Sequence, residues 1–232
     1  MRLHRFYVSQ PLGEEVVIDD VSLVSQLTKV FRYTQGDNII LFNGDGDDYY
    51  YSITDLTKNT LVCIRTKTTP SYIPTQKILL CMSVIKKDTF ELVVQKATEL
   101  GVTTITPIIS SRSEKKNLSY ERLRKIAIES AEQCGRGDIP TISPIMTLEA
   151  ALSSLSQESY NIMFTMGEKP LLPLPHDIKG THLALFIGPE GGWGDADTML
   201  MKKAGLHAHS LGKTTLRAET AAISACALLS IV

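Results

Sequence analysis

Three glycine-bearing stretches hold the residues best suited to chemistry: "FTMGEKP" from Phe164, "FIGPEGGWGD" from Phe186 and "HSLGKTTLRAET" from His209. Each closes an apolar run. That is the arrangement of a strand feeding a loop at the carboxyl end of a parallel sheet, where open α/β sheets bind their ligands. Two common phosphate-binding patterns fail here. A dinucleotide fingerprint needs glycines at i, i+2 and i+5. Counting from Gly188, the second position is Glu190; counting from Gly192, the third is Asp197. A P-loop needs a glycine five positions before its Gly-Lys-Thr. For Gly212 that position is His207.

The loops still bring backbone N–H and C=O groups close to a ligand, because glycine offers no Cβ. Pro189 fixes its own φ and biases Gly188 toward an extended conformation. The stretch from Gly188 to Asp195 has no Lys, Arg, Ser or Thr, which points away from phosphate. Backbone donors and acceptors suit a purine edge and a ribose. Glu190 can accept from ribose hydroxyls, lie near a cationic group, or cap the helix that follows. A nucleoside without phosphates and with a positive sulfonium, such as S-adenosylmethionine, meets these demands. The alternative is a tight strand-to-helix turn that holds nothing.

No metal is expected. The four cysteines (Cys63, Cys81, Cys134, Cys226) are scattered without a C-x-x-C pair, which argues against zinc and against a disulfide framework. His207 and His209 share a strand face, but no third ligand is near in sequence. Net charge is −1, which by itself does not suggest a nucleic-acid binder. The charge is unevenly distributed, however. Residues 1–76 carry −2, residues 77–125 carry +5 and residues 126–232 carry −4. One basic segment suffices for phosphate contact, although a solvated helix face explains it equally well. "MRLHRFYVSQ" has no apolar core of a signal peptide. The most apolar stretch, "TAAISACALLSIV", falls short of the roughly 20 residues that span a bilayer. These features predict a cytoplasmic protein without a membrane segment.

The elements that must position the loops are α/β in pattern. Residues 1–72 read as β-rich, with strands in "RFYVS", "DNIILFNG", "DDYYYSITDL" and "TLVCIRTK", one helix in "SLVSQLTKVF", and a small barrel or sandwich as the outcome. "TTPSYIPTQ", with Pro70 and Pro74, predicts a linker. Residues 73–232 alternate strand and helix, which predicts a parallel sheet covered on both faces. Helix 89–100 should bury Phe90, Val93, Val94 and Ala97, with Asp88 as N-cap and Glu91 completing a capping box. Helix 120–134 should bury Leu123, Ile126, Ala127, Ser130, Ala131 and Cys134. Later strands lie in "YNIMFTM", "HLALFIG" and "LHAHSL", and later helices near 148–156, 196–204 and 218–231.

Assembled in order, these motifs resemble a known family across nearly the whole chain. "MRLHRFYV", "KVFRYTQGDNIILFNGDGDDYY", "KKDTFELVVQKATELGVTTITPIISSRS", "AIESAEQCGRGDIPTI", "FIGPEGGW" and "LGKTTLRAETA" are similar to the RsmE-type small-subunit ribosomal RNA uridine-N3 methyltransferases of the SPOUT class. The chain departs from the family pattern in places. It lacks a His shortly before "KVFR", has "SSRS" for the usual "ERS", carries Trp193 for the commoner Phe, has "GDAD" for a Glu-rich helix start, and has Thr214-Thr215 before Leu216. These changes bear on RNA contacts more than on cofactor binding.

The resemblance implies a PUA-like barrel over residues 1–72 that helps hold RNA, then a SPOUT α/β trefoil-knot methyltransferase domain over 73–232. It implies a homodimer with its active site at the interface. The small residues Ala218, Ala221, Ala222, Ser224, Ala225 and Ala227 suit close helix approach there, or packing inside one subunit. The implied reaction is S-adenosylmethionine-dependent methylation of N3 of a specific uridine (m3U1498 in the family) of 16S rRNA in the 30S subunit. Cofactor contacts fall on Thr165, Met166, Gly167, Gly188, Pro189, Glu190, Gly191, Gly192, Leu211, Gly212 and Leu216. Arg217 is the candidate for charge stabilisation, and Glu219 or Glu99 for proton acceptance; an Arg217–Glu219 ion pair is the structural alternative. Phosphate contacts are expected from Arg2, Arg5, Arg32, Arg112, Lys115, Lys116 and Arg136. Another SPOUT reaction, such as ribose 2′-O-methylation, and a non-catalytic RNA-binding or assembly factor are the competing functions.

Overall fold

The computed structural model describes residues 3–113, 117–172, 178 and 182–230. The chain divides into two compact units. The first comprises residues 1–73 together with 131–138, and the second residues 74–130 with 139–232.

The first unit is built on a mixed sheet in the order β1-β3-β4-β5-β2. Its strands are β1 (Arg5–Tyr7), β2 (Glu15–Ile18), β3 (Asn38–Phe42), β4 (Asp47–Leu56) and β5 (Leu61–Pro70). β1 and β3 run parallel, and the other pairs are antiparallel. Register shifts near Tyr50 and Asp55 of β4 bend the long β4–β5 ribbon, as bulges do. Alternate side chains of β4 turn inward, and Tyr51 is fully buried with its hydroxyl donating to Gly13 O at 2.6 Å. The "SLVSQLTKVF" segment forms α1 (Val21–Ser25) and runs on as a π-helical turn, Gln26–Phe31. That turn ends on Arg32, the one non-glycine residue with positive φ (57°) among those described.

Residues 131–138 join this unit through specific bonds. Arg5 donates to Ala131 O (2.9 Å) and Arg136 O (3.2 Å), and Tyr7 N donates to the Glu132 carboxylate (2.9 Å). Gly137 N donates to Tyr72 O at 2.7 Å, and a Cβ at Gly137 would collide with Ser71 Oγ. Ser71 and Tyr72, expected in a linker, are therefore tied down.

The second unit is a seven-stranded sheet in which every pair is parallel, in the order β12-β10-β11-β6-β7-β8 with β9 also on β7. The strands are β6 (Ile78–Ser83), β7 (Thr104–Ile109), β8 (Thr141–Ile142), β9 (Met146–Thr147), β10 (Ser159–Phe164), β11 (His182–Ile187) and β12 (His207–His209). Side chains alternate between two cores, as the two-residue period of a strand requires. On β11, Leu183, Leu185 and Ile187 face the core shared with α2 (Lys87–Glu99), α3 (Tyr120–Cys134) and α6 (Ala218–Leu229). Ala184 and Phe186 face the opposite core, with α4 (Leu148–Ser153) and α5 (Asp195–Lys203). Burial on both faces is why these strands read as unbroken apolar runs.

The expected helix faces are present. Phe90, Val93, Val94 and Ala97 of α2 are buried, as are Leu123, Ile126, Ala127, Ser130 and Ala131 of α3. Two details differ. Cys134 is exposed although its spacing continues that helix's buried face, because it is the last residue of α3. The N-cap of α2 is Lys86, so Asp88 lies in the first turn, where a carboxylate favours the helix dipole without capping. Glu91 consequently meets Arg122 Nε at 3.2 Å instead of closing a capping box.

Candidate functional site

The parallel register brings the carboxyl ends of four strands to one edge. Phe164 pairs with both Ile187 and His209, and Ile187 pairs with Met82. The loops leaving β10, β11 and β12 therefore emerge side by side. They and the first turns of α6 enclose a cavity of about 540 Å³, inside the range of small-molecule sites, roughly 300–1,000 Å³.

Nine of the expected cofactor residues line it: Thr165, Met166, Gly188, Pro189, Glu190, Gly191, Gly192, Leu211 and Leu216. Gly167 and Gly212 do not. Each has positive φ (83° and 135°), so they turn the loops that others present to the cavity. The wall also holds Phe164, Ile187, Trp193, Thr214, Thr215, Ala218 and Ala221, which the sequence motifs did not single out as contacts. Strand-end and helix-packing residues carry no signal that separates lining a ligand site from filling a core.

The β11 loop is a tight turn braced from behind. Gly192 N donates to Pro189 O at 2.8 Å, which leaves Glu190 at the turn's exposed tip. Trp193 is buried, and its indole N–H donates to Phe164 O at 3.0 Å. Its ring lies so close to Gly188 that a Cβ there would stand 3.1 Å from it. Asp197, 5% exposed, accepts from Gly194 N (2.9 Å), Ser111 N (3.2 Å) and Ser111 Oγ (2.6 Å). Asp197 thus does the capping at α5, which removes the helix-cap reading of Glu190. Gly194 is required as well, since a Cβ would collide with Ser111 Oγ.

The candidate catalytic residues separate. Arg217 is the N-cap residue of α6, exposed, and on the cavity wall. Glu219 is half-buried, outside the wall, and forms no ion pair with Arg217 within 4.0 Å. Glu99 is a correction. It sits at the far end of α2, a helix about 20 Å long that starts at the ligand edge and returns to the opposite one. There Glu99 is held by Lys96 Nζ at 3.0 Å.

The expected phosphate contacts also divide. Arg136 is 2% exposed and paired with Asp138 at 2.9 Å. Arg5 is held by Asp48 at 2.6 Å and lies over the Phe42 ring, 4.2 Å from its centroid. Both guanidiniums are used inside the first unit, which corrects their assignment to phosphate. Arg32 is exposed. Arg112 is exposed too, but Nη1 donates to Gly191 O at 2.8 Å. Arg2, Lys115 and Lys116 lie outside the described residues. Burial pushes the Cys63, Cys81 and Cys226 thiols up to about 12, so none is a thiolate nucleophile at neutral pH. Among the described residues no three His, Cys, Asp or Glu side chains converge on a metal site, and no helix is long and apolar enough to cross a membrane.

Comparison with known proteins covers both units. Residues 72–230 match the family described as the RNA methyltransferase domain, and residues 27–64 match the RNA methyltransferase PUA domain. The ribosomal RNA small subunit methyltransferase E of Rickettsia conorii is 31% identical over 241 residues, spanning 100% of this chain and 97% of that protein. Two solved structures superpose closely. A putative methyltransferase from Legionella pneumophila with bound SAM has a TM-score of 0.90 at 29% identity, covering 100% of this chain and 98% of that one. A ribosomal RNA small subunit methyltransferase E from Neisseria gonorrhoeae bound to S-adenosyl methionine has a TM-score of 0.87 at 29% identity, covering 99% and 98%. The match runs through the glycine loops and the PUA segment alike, and the chain belongs to the ribosomal RNA small subunit methyltransferase E family.

Proposed function

We propose that this protein transfers a methyl group from S-adenosylmethionine to N3 of a specific uridine in the 16S rRNA of the 30S subunit. The observation that carries the reading is the charge of the cavity wall. Its charged side chains among the described residues are one carboxylate, Glu190, and one guanidinium, Arg217; the remainder is apolar side chain, hydroxyl and glycine backbone. Such a wall fits a nucleoside bearing a sulfonium and an amino-acid tail, and gives no cradle for a phosphate chain. Two relatives of 29% identity hold that molecule.

S-adenosylmethionine supplies an electrophilic methyl group on sulfur. The glycine turn 188–192 and Leu211 to Leu216 would hold it. Uracil N3–H becomes a good nucleophile only on losing its proton, and negative charge then spreads onto O2 and O4. Arg217 stands on the wall with no ion-pair partner among the described residues, so its guanidinium is free to stabilise that charge. Glu219 remains the proton acceptor we propose; it lies in the first turn of α6, two residues from Arg217. N3 is on the Watson–Crick edge, so the uridine must be unpaired or flipped to be reached. Arg32 and Arg112 are the described arginines of the expected set with the exposure needed to meet phosphate.

The same reading includes a trefoil knot and a homodimer. Supporting the knot, Thr165 N bonds His209 O and Leu171 N bonds Ser210 O, so the segment entering α6 is laced beside the loop leaving β10. Supporting the homodimer, Ala221, Ser224 and Ala227 of α6 stay half-exposed while Ala218, Ala222 and Ala225 fill the core.

The test is methyl transfer from tritiated S-adenosylmethionine to unmethylated 30S subunits, followed by nucleoside analysis. The expected product is 3-methyluridine. Finding 2′-O-methyluridine alone would replace the reaction, and no binding of millimolar cofactor by calorimetry would remove the enzyme reading.

A further inference from the structure

Arg112 lies outside the cavity wall, yet it is bonded to the turn that forms that wall. Its Nη1 donates to Gly191 O at 2.8 Å, and its stem runs along the glycine, with Cβ and Cδ each 3.7 Å from where a Gly191 Cβ would stand. Gly191 is a central residue of the 189–192 turn, so the guanidinium grips the turn at its middle. A guanidinium has five N–H donors in a rigid fork. No carboxylate of a described residue stands within 4.0 Å of it, and the side chain is exposed. One donor is used on the turn, and the outward donors are available to an anion.

The segment that carries Arg112 is rigid where it must be. Ser110 Oγ contacts Ser83 Oγ at 3.1 Å and Ser113 Oγ at 2.8 Å, and Ser110 N donates to Ser113 Oγ at 3.0 Å. Ser111 is bonded through N and Oγ to Asp197, the residue that caps α5 just beyond the turn. Displacement of Arg112 would therefore be transmitted to Gly191, since the base of residues 110–113 is fixed on both sides.

We infer that Arg112 couples RNA docking to the cofactor turn, one arm of its guanidinium holding Gly191 O and the others taking a phosphodiester oxygen of the substrate RNA. The inference rests on the proposed methyltransferase reading. A bidentate guanidinium–phosphate contact is directional, so a docked phosphate fixes the plane of the fork and with it the donor on Gly191 O. The substrate then stiffens the wall against which the nucleoside lies. Coupling is reciprocal: RNA tightens the cofactor by the factor that the cofactor tightens RNA.

Equilibrium dialysis of tritiated S-adenosylhomocysteine, which has no methyl group to transfer, measures this with and without saturating unmethylated 30S subunits. For the unsubstituted protein, subunits are expected to tighten binding by about five- to tenfold, at the low end of known couplings. Arg112→Ala is expected to bind the nucleoside within about tenfold of the parent when alone, and to show less than twofold tightening by subunits. Arg112→Lys keeps a charge but not the fork, and is expected to recover less than half of the coupling on a logarithmic scale. Thermal unfolding followed at Trp193, the chain's single tryptophan, should place the variants within a few degrees of the parent. Full coupling in Arg112→Ala, or none in the parent, overturns the inference and leaves the enzyme reading standing. No binding of S-adenosylhomocysteine by the parent overturns both.

Discussion

The wall contributed by residues 188–194 is held from behind by side-chain hydrogen bonds, whereas on the facing wall, residues 211–217, Leu211 packs against the core and the polar side chains make no such bonds to described residues. Behind the first stand Trp193 on Phe164 O, Asp197 on Gly194 N and Ser111, and Arg112 on Gly191 O. On the second, Lys213, Thr214, Thr215 and Arg217 are all exposed, and no side-chain hydrogen bond joins any of them to another described residue. One wall is a mould present before the ligand arrives. The other presents polar side chains to the cavity with no hydrogen-bond partner among the described residues. Pre-organisation lowers the cost of binding, and a less constrained opposing segment lets a large substrate in.

The largest expected effect comes from breaking the mould at its turn. Gly192 lines the cavity at a φ of 68°, which strains any side chain, and its Cβ position faces open space with no other atom within 4 Å. Gly192→Trp is expected to lower S-adenosylmethionine affinity more than 100-fold by calorimetry, with far-UV circular dichroism unchanged. Retained affinity would show that the turn does not approach the ligand.

Next in size is Arg217, on the unbraced wall. Removing a donor aimed at developing charge costs about 10²–10³ in kcat. Arg217→Ala is expected to show that loss in methyl transfer, with the cofactor Kd within about threefold. A change confined to Kd would make Arg217 a cofactor-holding residue instead.

Asp197 tests the brace itself. Its carboxylate satisfies three donors in a nearly buried place, and leaving them unpaired costs about 3 kcal/mol. Asp197→Ala should lower unfolding free energy in urea by that amount and weaken cofactor binding through the loosened turn. Lost stability with unchanged affinity would show that the first wall does not depend on its brace.

How far each feature was legible in the sequence follows from its range. α3 spans Tyr120–Cys134 as its spacing indicates, and β11 carries the unbroken apolar run of a strand buried on both faces. Such elements are written in consecutive residues. The cavity's glycines were legible too, because the turn needs them locally. The brace was not: Ser111 and Asp197 are 86 positions apart, and neither forms a motif by itself. Arg5 and Arg136 looked like phosphate contacts for the same reason, since a basic residue in sequence does not reveal an internal carboxylate or carbonyl that uses it. Glu99 failed through direction: a helix that returns across a sheet carries its last residues away from the edge where it began.

The smallest expected effect is also the sharpest test of the unbraced wall. Thr214 and Thr215 are exposed, and their hydroxyls bond no other described residue. Exposed substitutions away from caps, cores and networks usually shift stability by less than about 0.5 kcal/mol. The Thr214→Ala, Thr215→Ala double variant should therefore unfold in urea within that margin of the parent when free of ligand. With saturating S-adenosylmethionine present, the parent gains stability by mass action. If the two hydroxyls acquire partners only when the nucleoside is in place, the double variant gains less, by about 1 kcal/mol per net hydrogen bond lost. Equal stabilisation of both proteins would mean that this wall encloses the ligand without bonding it, and that the moulded turn opposite accounts for the polar recognition.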